Sequence, residues 1–122
     1  MTIKVAEMDQ RVSFLSQLDS ATGPVTLINT FHVGEAQVSA LLAAWADDAS
    51  WMREQPGYIR TQLHRGVAGS TTFVNVAVWE SAAALRAAFV SPEFQAHVAR
   101  YPGGTTSPHL FEKVAVSGIC VA

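Results

Sequence analysis

Side chains alternate between two faces along four separate segments of the chain. A period of two residues is typical of β-strands. The predicted strands span residues 25–33, 58–65, 71–79 and 109–116. Along the third strand one face carries Phe73, Asn75, Ala77 and Trp79, and the other carries Val74, Val76 and Val78. Both faces of this strand are therefore largely apolar, and both need to be covered.

Helical patterns separate the strands. A helix is predicted over residues 35–55, ending before Pro56 and Gly57, because one of its faces is apolar. That face carries Val38, Leu41, Leu42, Trp45, Ala49 and Met52. Ser81 is a favourable N-cap for a helix through Phe89, and Ser91 followed by Pro92 starts another helical segment that ends near Arg100.

The element order β-α-β-β-α-β predicts an α+β fold of ferredoxin-like type, with one antiparallel sheet and helices on one side. Residues 1–23 are interpreted as an N-terminal extension, 24–116 as the domain and 117–122 as a tail. Since the helices cover only one face, the valine face of the third strand predicts a homodimer that packs sheet against sheet. The alternative is that the extension covers this face.

Composition narrows the range of partners. The chain has 122 residues, of which 49% are hydrophobic and 15% charged, so a subunit interface or a large apolar cavity would account for the surplus. A net charge of −2 without a basic stripe argues against nucleic acid. No apolar run is long enough for a membrane span, and residues 1–19 lack the apolar core of a signal peptide. The single Cys120 suits a reducing compartment, so a cytoplasmic protein is expected.

Two asparagines interrupt apolar strand faces. Asn29 lies between Leu27 and Phe31, and Asn75 lies between Phe73 and Ala77. A buried amide without a partner costs about 1–3 kcal/mol, so these positions favour a cavity that holds a polar ligand group. Trp79 shares a face with Asn75. A bond from each amide to a neighbouring loop, and simple packing of the indole, remain the structural alternatives.

Asparagine and indole offer neutral N–H donors and do not titrate near neutrality. They suit the stabilisation of negative charge on a ligand oxygen, as in an oxyanion hole. His97 is the titratable candidate for proton transfer, with a purely structural role as its alternative. The apolar residues expected to contact a substrate are Leu27, Phe31, Phe73, Leu85, Phe89 and Phe94. Metal-binding spacings, phosphate loops and the nucleophile elbow are absent from the sequence.

Several segments resemble the antibiotic biosynthesis monooxygenase superfamily. They are Gln55-Pro56-Gly57-Tyr58, Leu63-His64-Arg65, the stretch from Phe73 to Ser81, and Ser91-Pro92-Glu93-Phe94. The resemblance extends over residues 24–116 and implies a dimeric α+β barrel. In the anthrone oxygenase branch, two strand asparagines and the following tryptophan form the pocket, and Asn29, Asn75 and Trp79 match them. His97 also has a counterpart there, whereas Leu85 stands where some relatives have a pocket tyrosine.

The resemblance implies a cofactor-independent monooxygenase that oxidises a phenolic or anthrone-type aromatic with O₂ to a quinone. It implies no metal, flavin or haem, with molecular oxygen as the co-substrate. One alternative is a non-catalytic small-molecule-binding protein of the same fold. A haem-degrading branch also uses a first-strand asparagine, but here Val98 occupies the place of its iron-binding histidine and Ala88 that of its bulky aromatic.

Overall fold

The structure, a computed structural model, describes residues 2–122 and contains a five-stranded sheet and four α-helices. The strands are β1 (Lys4–Val5), β2 (Val25–His32), β3 (Tyr58–Arg65), β4 (Thr72–Trp79) and β5 (Thr105–Phe111). The helices are α1 (Phe14–Gln17), α2 (Val38–Met52), α3 (Ala82–Phe89) and α4 (Pro92–Val98), and a 3₁₀ turn (Glu35–Gln37) precedes α2.

The strand order is β1-β5-β2-β4-β3. The pairs among β2, β3, β4 and β5 are antiparallel, which confirms the α+β, ferredoxin-like prediction. The structure adds a fifth strand that was not predicted, because β1 pairs in parallel with β5, Lys4 opposite Thr105. The strand that makes the sheet mixed comes from the N-terminal extension.

The last strand begins earlier than predicted, at Thr105 rather than His109, and ends at Phe111 rather than Val116. Pro108 lies inside it, where a missing N–H would ordinarily break a ladder. The Ala6 N–H donates to the Thr106 carbonyl at 2.9 Å, so the backbone polar groups of Thr106 lie on the edge of β5 that faces β1. Pro108 lies two residues further along β5, so its nitrogen is on the same edge of the strand. This point is beyond the end of β1, where no neighbouring strand needs an N–H donor.

The predicted starts of the last two helices are confirmed. Ser81 Oγ accepts a hydrogen bond from the Ala84 N–H at 3.0 Å, and Ser91 Oγ accepts one from the Phe94 N–H at 3.2 Å. The apolar face of α2 differs slightly from the prediction, since Leu42 is 40% exposed whereas Ala44 is buried.

The N-terminal segment packs on the helix side of the sheet. Phe14 and Leu18 are buried in a core cluster with Trp79 and Leu85. The Gln17 side chain also accepts from the Leu110 N–H at 2.8 Å and donates to the Leu110 carbonyl at 3.0 Å, so it covers the open edge of β5 as a strand would. This segment therefore does not cover the valine face of β4, and the alternative that it does so is wrong.

None of the helices in residues 2–122 combines the length and apolar character needed to cross a membrane.

Candidate active site

A cavity of about 510 Å³ lies between the sheet and the helices. Residues from β2, β3, β4 and β5 line it on the sheet side, and residues from α2, α3 and α4 line it on the helix side. Its walls are largely apolar, as is usual for sites that bind a small organic molecule. The sequence's expectation of a hollow rather than a solid interior therefore agrees with the geometry.

Asn29 and Asn75 lie directly opposite each other on β2 and β4, and both line the cavity. The Oδ1 of Asn29 accepts a hydrogen bond from Thr106 Oγ1 at 2.6 Å, and the Oδ1 of Asn75 accepts one from Thr61 Oγ1. Within residues 2–122 the Nδ2 atoms of Asn29 and Asn75 donate to no protein acceptor. Neither atom is among the buried polar atoms that lack a partner, so both are accessible. The two threonines thus fix the amides with their N–H donors available to a ligand.

Trp79 lies at the end of β4 and lines the same cavity. Its side chain is 2% exposed, and the Tyr58 ring packs against it edge to face with 5.6 Å between centroids. Four residues separate it from Asn75, or about 13 Å along the strand. Trp79 and the amide pair therefore lie at different positions along the cavity.

Five of the six apolar residues predicted to contact a substrate line the cavity. They are Leu27, Phe31, Leu85, Phe89 and Phe94. Phe73 does not line it, so that part of the prediction is corrected. The Phe73 side chain is 2% exposed and packs against Leu41 of α2 in a second core cluster. This cluster is solid, so Phe73 contacts other side chains rather than the cavity.

His97 also lies outside the cavity lining. The next residue on α4, Val98, lines the cavity, and a step of one residue turns a helix by about 100°. His97 therefore packs beside α2, with its ring centroid 6.0 Å from that of Trp51. Its Nδ1 is buried and has no hydrogen-bond partner among the described residues.

Asp48 on α2 and Tyr101 after α4 both line the cavity, and the sequence analysis missed them. The Tyr101 hydroxyl donates to Asp48 Oδ2 at 2.7 Å. Burial raises the pKa of the Asp48 carboxyl, and the Tyr101 hydrogen bond and the charge of His97 act in the opposite direction. Burial, followed by the Asp48 charge, raises the pKa of the Tyr101 phenol far above its usual range.

A sequence signal for Asp48 was available. It lies three residues after Trp45 and four before Met52, which places a carboxylate on the apolar face of the predicted helix. Tyr101 gave no such signal, because it lies between the predicted helix end near Arg100 and Pro102.

The N-terminal segment also contributes to the cavity wall. Its lining residues are Ile3, Val5, Glu7, Phe14 and Leu15. Glu7 Oε1 accepts a hydrogen bond from the Phe14 N–H at 2.9 Å, which ties the segment's extended part to α1. No motif in residues 1–23 predicted this role; the surplus of apolar residues was the only indication.

Comparison with known proteins places the chain among oxygenases. The family model described as antibiotic biosynthesis monooxygenase matches residues 24–100. Deoxynogalonate monooxygenase from Streptomyces nogalater is 33% identical over 87 residues, which cover 70% of this chain and 71% of that protein.

Solved structures give the same result. The crystal structure of SnoaB, described as a cofactor-independent oxygenase from Streptomyces nogalater, superposes with a TM-score of 0.71 at 28% identity. The match covers 80% of this chain and 99% of that one. A Mycobacterium tuberculosis protein shares the fold at 20% identity and a TM-score of 0.64, covering 78% of this chain and 99% of that one.

Proposed function

This chain belongs to the antibiotic biosynthesis monooxygenase family, and we propose that within it the chain is a cofactor-independent oxygenase of an anthrone-type or phenolic aromatic. The product is the corresponding quinone. O₂ is the co-substrate, and the substrate itself supplies the electrons.

The observation that carries the proposal is the pair of amides with free N–H groups in a mostly apolar cavity. Thr106 and Thr61 occupy the two amide carbonyls, so only donors face the ligand. Donors that are already fixed stabilise charge as it develops on a ligand oxygen without reorganising. An aromatic whose anion is reactive towards O₂ needs this kind of environment.

The reaction follows from stabilisation of the substrate anion. The anthrone loses a proton from its methylene carbon, and the electron pair is delocalised onto the carbonyl oxygen, where Asn29 and Asn75 donate hydrogen bonds. The anion transfers one electron to O₂, and the two radicals combine at the former methylene carbon to a peroxide. This peroxide is an anion; its outer oxygen takes up one proton, and loss of water then leaves a second carbonyl and therefore a quinone. The cavity keeps the reactants oriented and excludes bulk water.

Oxygen consumption tests the proposal. The anthrone dithranol autoxidises slowly, and we expect the protein to accelerate both O₂ uptake and quinone formation. Asn75→Ala should lower kcat by about 10²–10³-fold, since one donor to a developing oxyanion is worth that much. Trp79→Phe should also lower the rate, because it removes an indole that lines the cavity.

Val90→Ala is the control, because Val90 is 54% exposed and does not line the cavity. Its rate should equal that of the wild type. Equal rates with and without wild-type protein across a panel of anthrones and quinols would contradict the proposal. Tight binding of these compounds without turnover would favour the non-catalytic binding protein instead.

Haem degradation is not favoured by the cavity. Its lining contains no histidine from the described residues, since Val98 rather than His97 faces it. An iron ligand of the kind that branch uses is therefore not available at this position.

The assembly proposed for this chain is a cytoplasmic homodimer formed through the sheet faces. Val74, Val76 and Val78 lie on the face of β4 opposite the cavity, and the N-terminal segment leaves this face uncovered. They are half-buried by their neighbours on the sheet. A second copy presenting the same face would remove them from water.

A further inference from the structure

Glu7 lines the cavity and has one carboxylate oxygen that no group of the described chain engages. Its Oε1 accepts the Phe14 N–H at 2.9 Å, whereas its Oε2 accepts no hydrogen bond from residues 2–122. Glu7 is half-buried, and Oε2 is not among the buried polar atoms that lack a partner, so this oxygen keeps accessible surface. The ion pairs within residues 2–122 involve other side chains. A ligand can therefore reach this oxygen.

The second carboxylate that lines the cavity differs in this respect. Asp48 Oδ2 accepts the hydrogen bond of the Tyr101 hydroxyl, and Asp48 Oδ1 is buried without accessible surface. Neither oxygen of Asp48 is open to a ligand. Among the described residues that line the cavity, Glu7 is thus the carboxylate that can accept a hydrogen bond from a bound molecule.

Glu7 continues the cavity-facing side of β1. Ile3, Val5 and Glu7 line the cavity at alternate positions, as residues on one face of a strand do. Val5 pairs with Thr106 of β5, and the same register carried on by two residues sets Glu7 beside Pro108. Pro108 also lines the cavity. The carboxylate therefore lies on the sheet side of the cavity, at the edge that the N-terminal segment adds.

This position puts the carboxylate in one cross-strand row with the amide donors. Pro108 pairs with Asn29, and Asn29 pairs with Asn75. Neighbouring strands are about 4.8 Å apart, so the backbones of Glu7 and Asn29 are about 10 Å apart across β5. An acceptor at one end of the row and donors at the other fit a ligand whose hydroxyl and carbonyl groups lie at different edges of one fused ring system.

A carboxylate selects a ligand group by charge and by donor capacity. When it is ionised it only accepts hydrogen bonds, so it pairs with a phenolic hydroxyl. It repels a second carboxylate at the same place, because like charges repel most strongly where water is excluded. An apolar ring edge would displace water from the free oxygen without replacing its hydrogen bond.

We propose that Glu7 determines substrate specificity by accepting a hydrogen bond from a ring hydroxyl of the substrate. The substrate class is then a hydroxylated anthrone or related polycycle whose hydroxyl lies remote from the carbonyl that the amides hold. A carboxylate at that position is disfavoured. The inference rests on the proposed oxygenase function for the identity of the ring system. Glu7 precedes residues 24–100, which the family model matches, so family membership assigns it no role.

The binding of three anthraquinones tests the proposal without turnover. The probes are 1,8-dihydroxyanthraquinone, the same compound with a hydroxyl at ring position 3, and the same compound with a carboxylate at ring position 3. Equilibrium dialysis with absorbance detection gives their Kd values. We expect the wild type to bind the 3-hydroxyl compound about 10–100-fold more tightly than the unsubstituted one, the usual effect of a hydrogen bond to a charged group. The 3-carboxylate compound should bind least tightly.

Glu7→Gln removes the charge and keeps the local structure, since its amide oxygen can still accept the Phe14 N–H. It should lose the preference for the 3-hydroxyl compound and bind the 3-carboxylate compound about 10-fold more tightly than the wild type does. The unsubstituted compound should bind equally to both proteins. These opposite responses are specific to recognition, because a displaced cavity wall would weaken the binding of all three compounds.

Asp9→Asn is the matched control. Asp9 lies in the same segment and makes the same kind of bond, its Oδ1 accepting the Arg11 N–H at 2.8 Å, but it does not line the cavity. All three Kd values should equal those of the wild type.

A preference for the 3-hydroxyl compound that persists in Glu7→Gln would overturn the inference, and so would a wild type that shows no such preference. Weaker binding of all three compounds by Glu7→Gln would also overturn it, because Glu7 would then serve only the structure of the wall. Failure of the oxygenase function has a different signature. In that case the binding preferences would depend on Glu7 as expected, but dithranol oxidation would not rise above the protein-free rate.

Discussion

At the residue scale, two threonines set the orientation of the two asparagine amides. A strand asparagine in a core would ordinarily satisfy both ends of its amide, but Thr106 and Thr61 engage only the carbonyl oxygens. The threonines come from β5 and β3, the strands that flank the central pair β2 and β4. The opposed position of the asparagines could be anticipated from alternation, whereas their hydroxyl partners depend on which strands become neighbours.

Asp48 gives a prediction about stability at the same scale. Burial raises its pKa above the ordinary value of 3.8, so the folded protein binds this proton more tightly than the unfolded chain does. Wild-type stability should therefore fall as the pH rises from about 4 through the raised pKa, because the charged form is disfavoured in the folded state. Asp48→Asn removes this dependence, so its free energy of unfolding relative to the wild type should increase over that range and then level off.

Urea unfolding between about pH 4 and pH 8 measures this difference. Asp47→Asn should show a constant offset, since Asp47 is exposed. A difference between Asp48→Asn and wild type that is independent of pH would contradict the prediction. A variant that is more stable at neutral pH but inactive would indicate that the carboxylate is retained for function at a cost in stability.

At the element scale, the N-terminal segment has three roles. It adds β1 to the sheet, covers the edge of β5 through Gln17, and provides part of the cavity wall. The family match begins at residue 24, so this wall lies outside the matched residues. A wall contributed by this segment is expected to affect which substrates fit.

Leu15 tests that role, since it lines the cavity although its side chain is 62% exposed. Leu15→Ala removes apolar contact with the ligand, at about 0.8 kcal/mol per buried methylene, and should raise KM by about 3–10-fold. The amide donors are untouched, so kcat should not change. Steady-state kinetics with dithranol provide the measurement.

Val12→Ala is the control for this variant. Val12 belongs to the same segment, is 38% exposed and does not line the cavity. Its KM should equal that of the wild type. An unchanged KM in Leu15→Ala would show that the substrate does not reach this wall.

At the scale of the whole molecule, the proposed homodimer depends on the uncovered sheet face. Val76→Glu would place a charge in the centre of the proposed interface, where it would lose its hydration without gaining a partner. We expect the wild type to behave as a particle of about twice its 13.1 kDa chain mass, and Val76→Glu to behave as the monomer. Size-exclusion chromatography with light scattering measures both.

Val67→Glu makes the same substitution at a position that is 89% exposed in the turn between β3 and β4. It should leave the dimer intact. A wild-type mass of one chain, or the same mass for wild type and Val76→Glu, would contradict assembly through this face.

The sequence by itself determined the elements and their faces. Period-two alternation, serine caps and Pro-Gly stops are local properties, so they predicted β2, β3, β4, α3 and α4 closely. Alternation also placed Asn29 and Asn75 on one face of the sheet. These features could be anticipated because each depends on residues within a few positions of one another.

Only the tertiary structure decided what meets across the cavity. Asp48 and Tyr101 are 53 residues apart in sequence, and α1 reaches the edge of β5 from the other end of the chain. A helix rotation of one residue put Val98 rather than His97 at the wall, and Leu41 rather than a ligand lies beside Phe73. The physical reason is that an empty volume belongs to no single segment: it is the space that remains after distant surfaces have packed, and no local period encodes it.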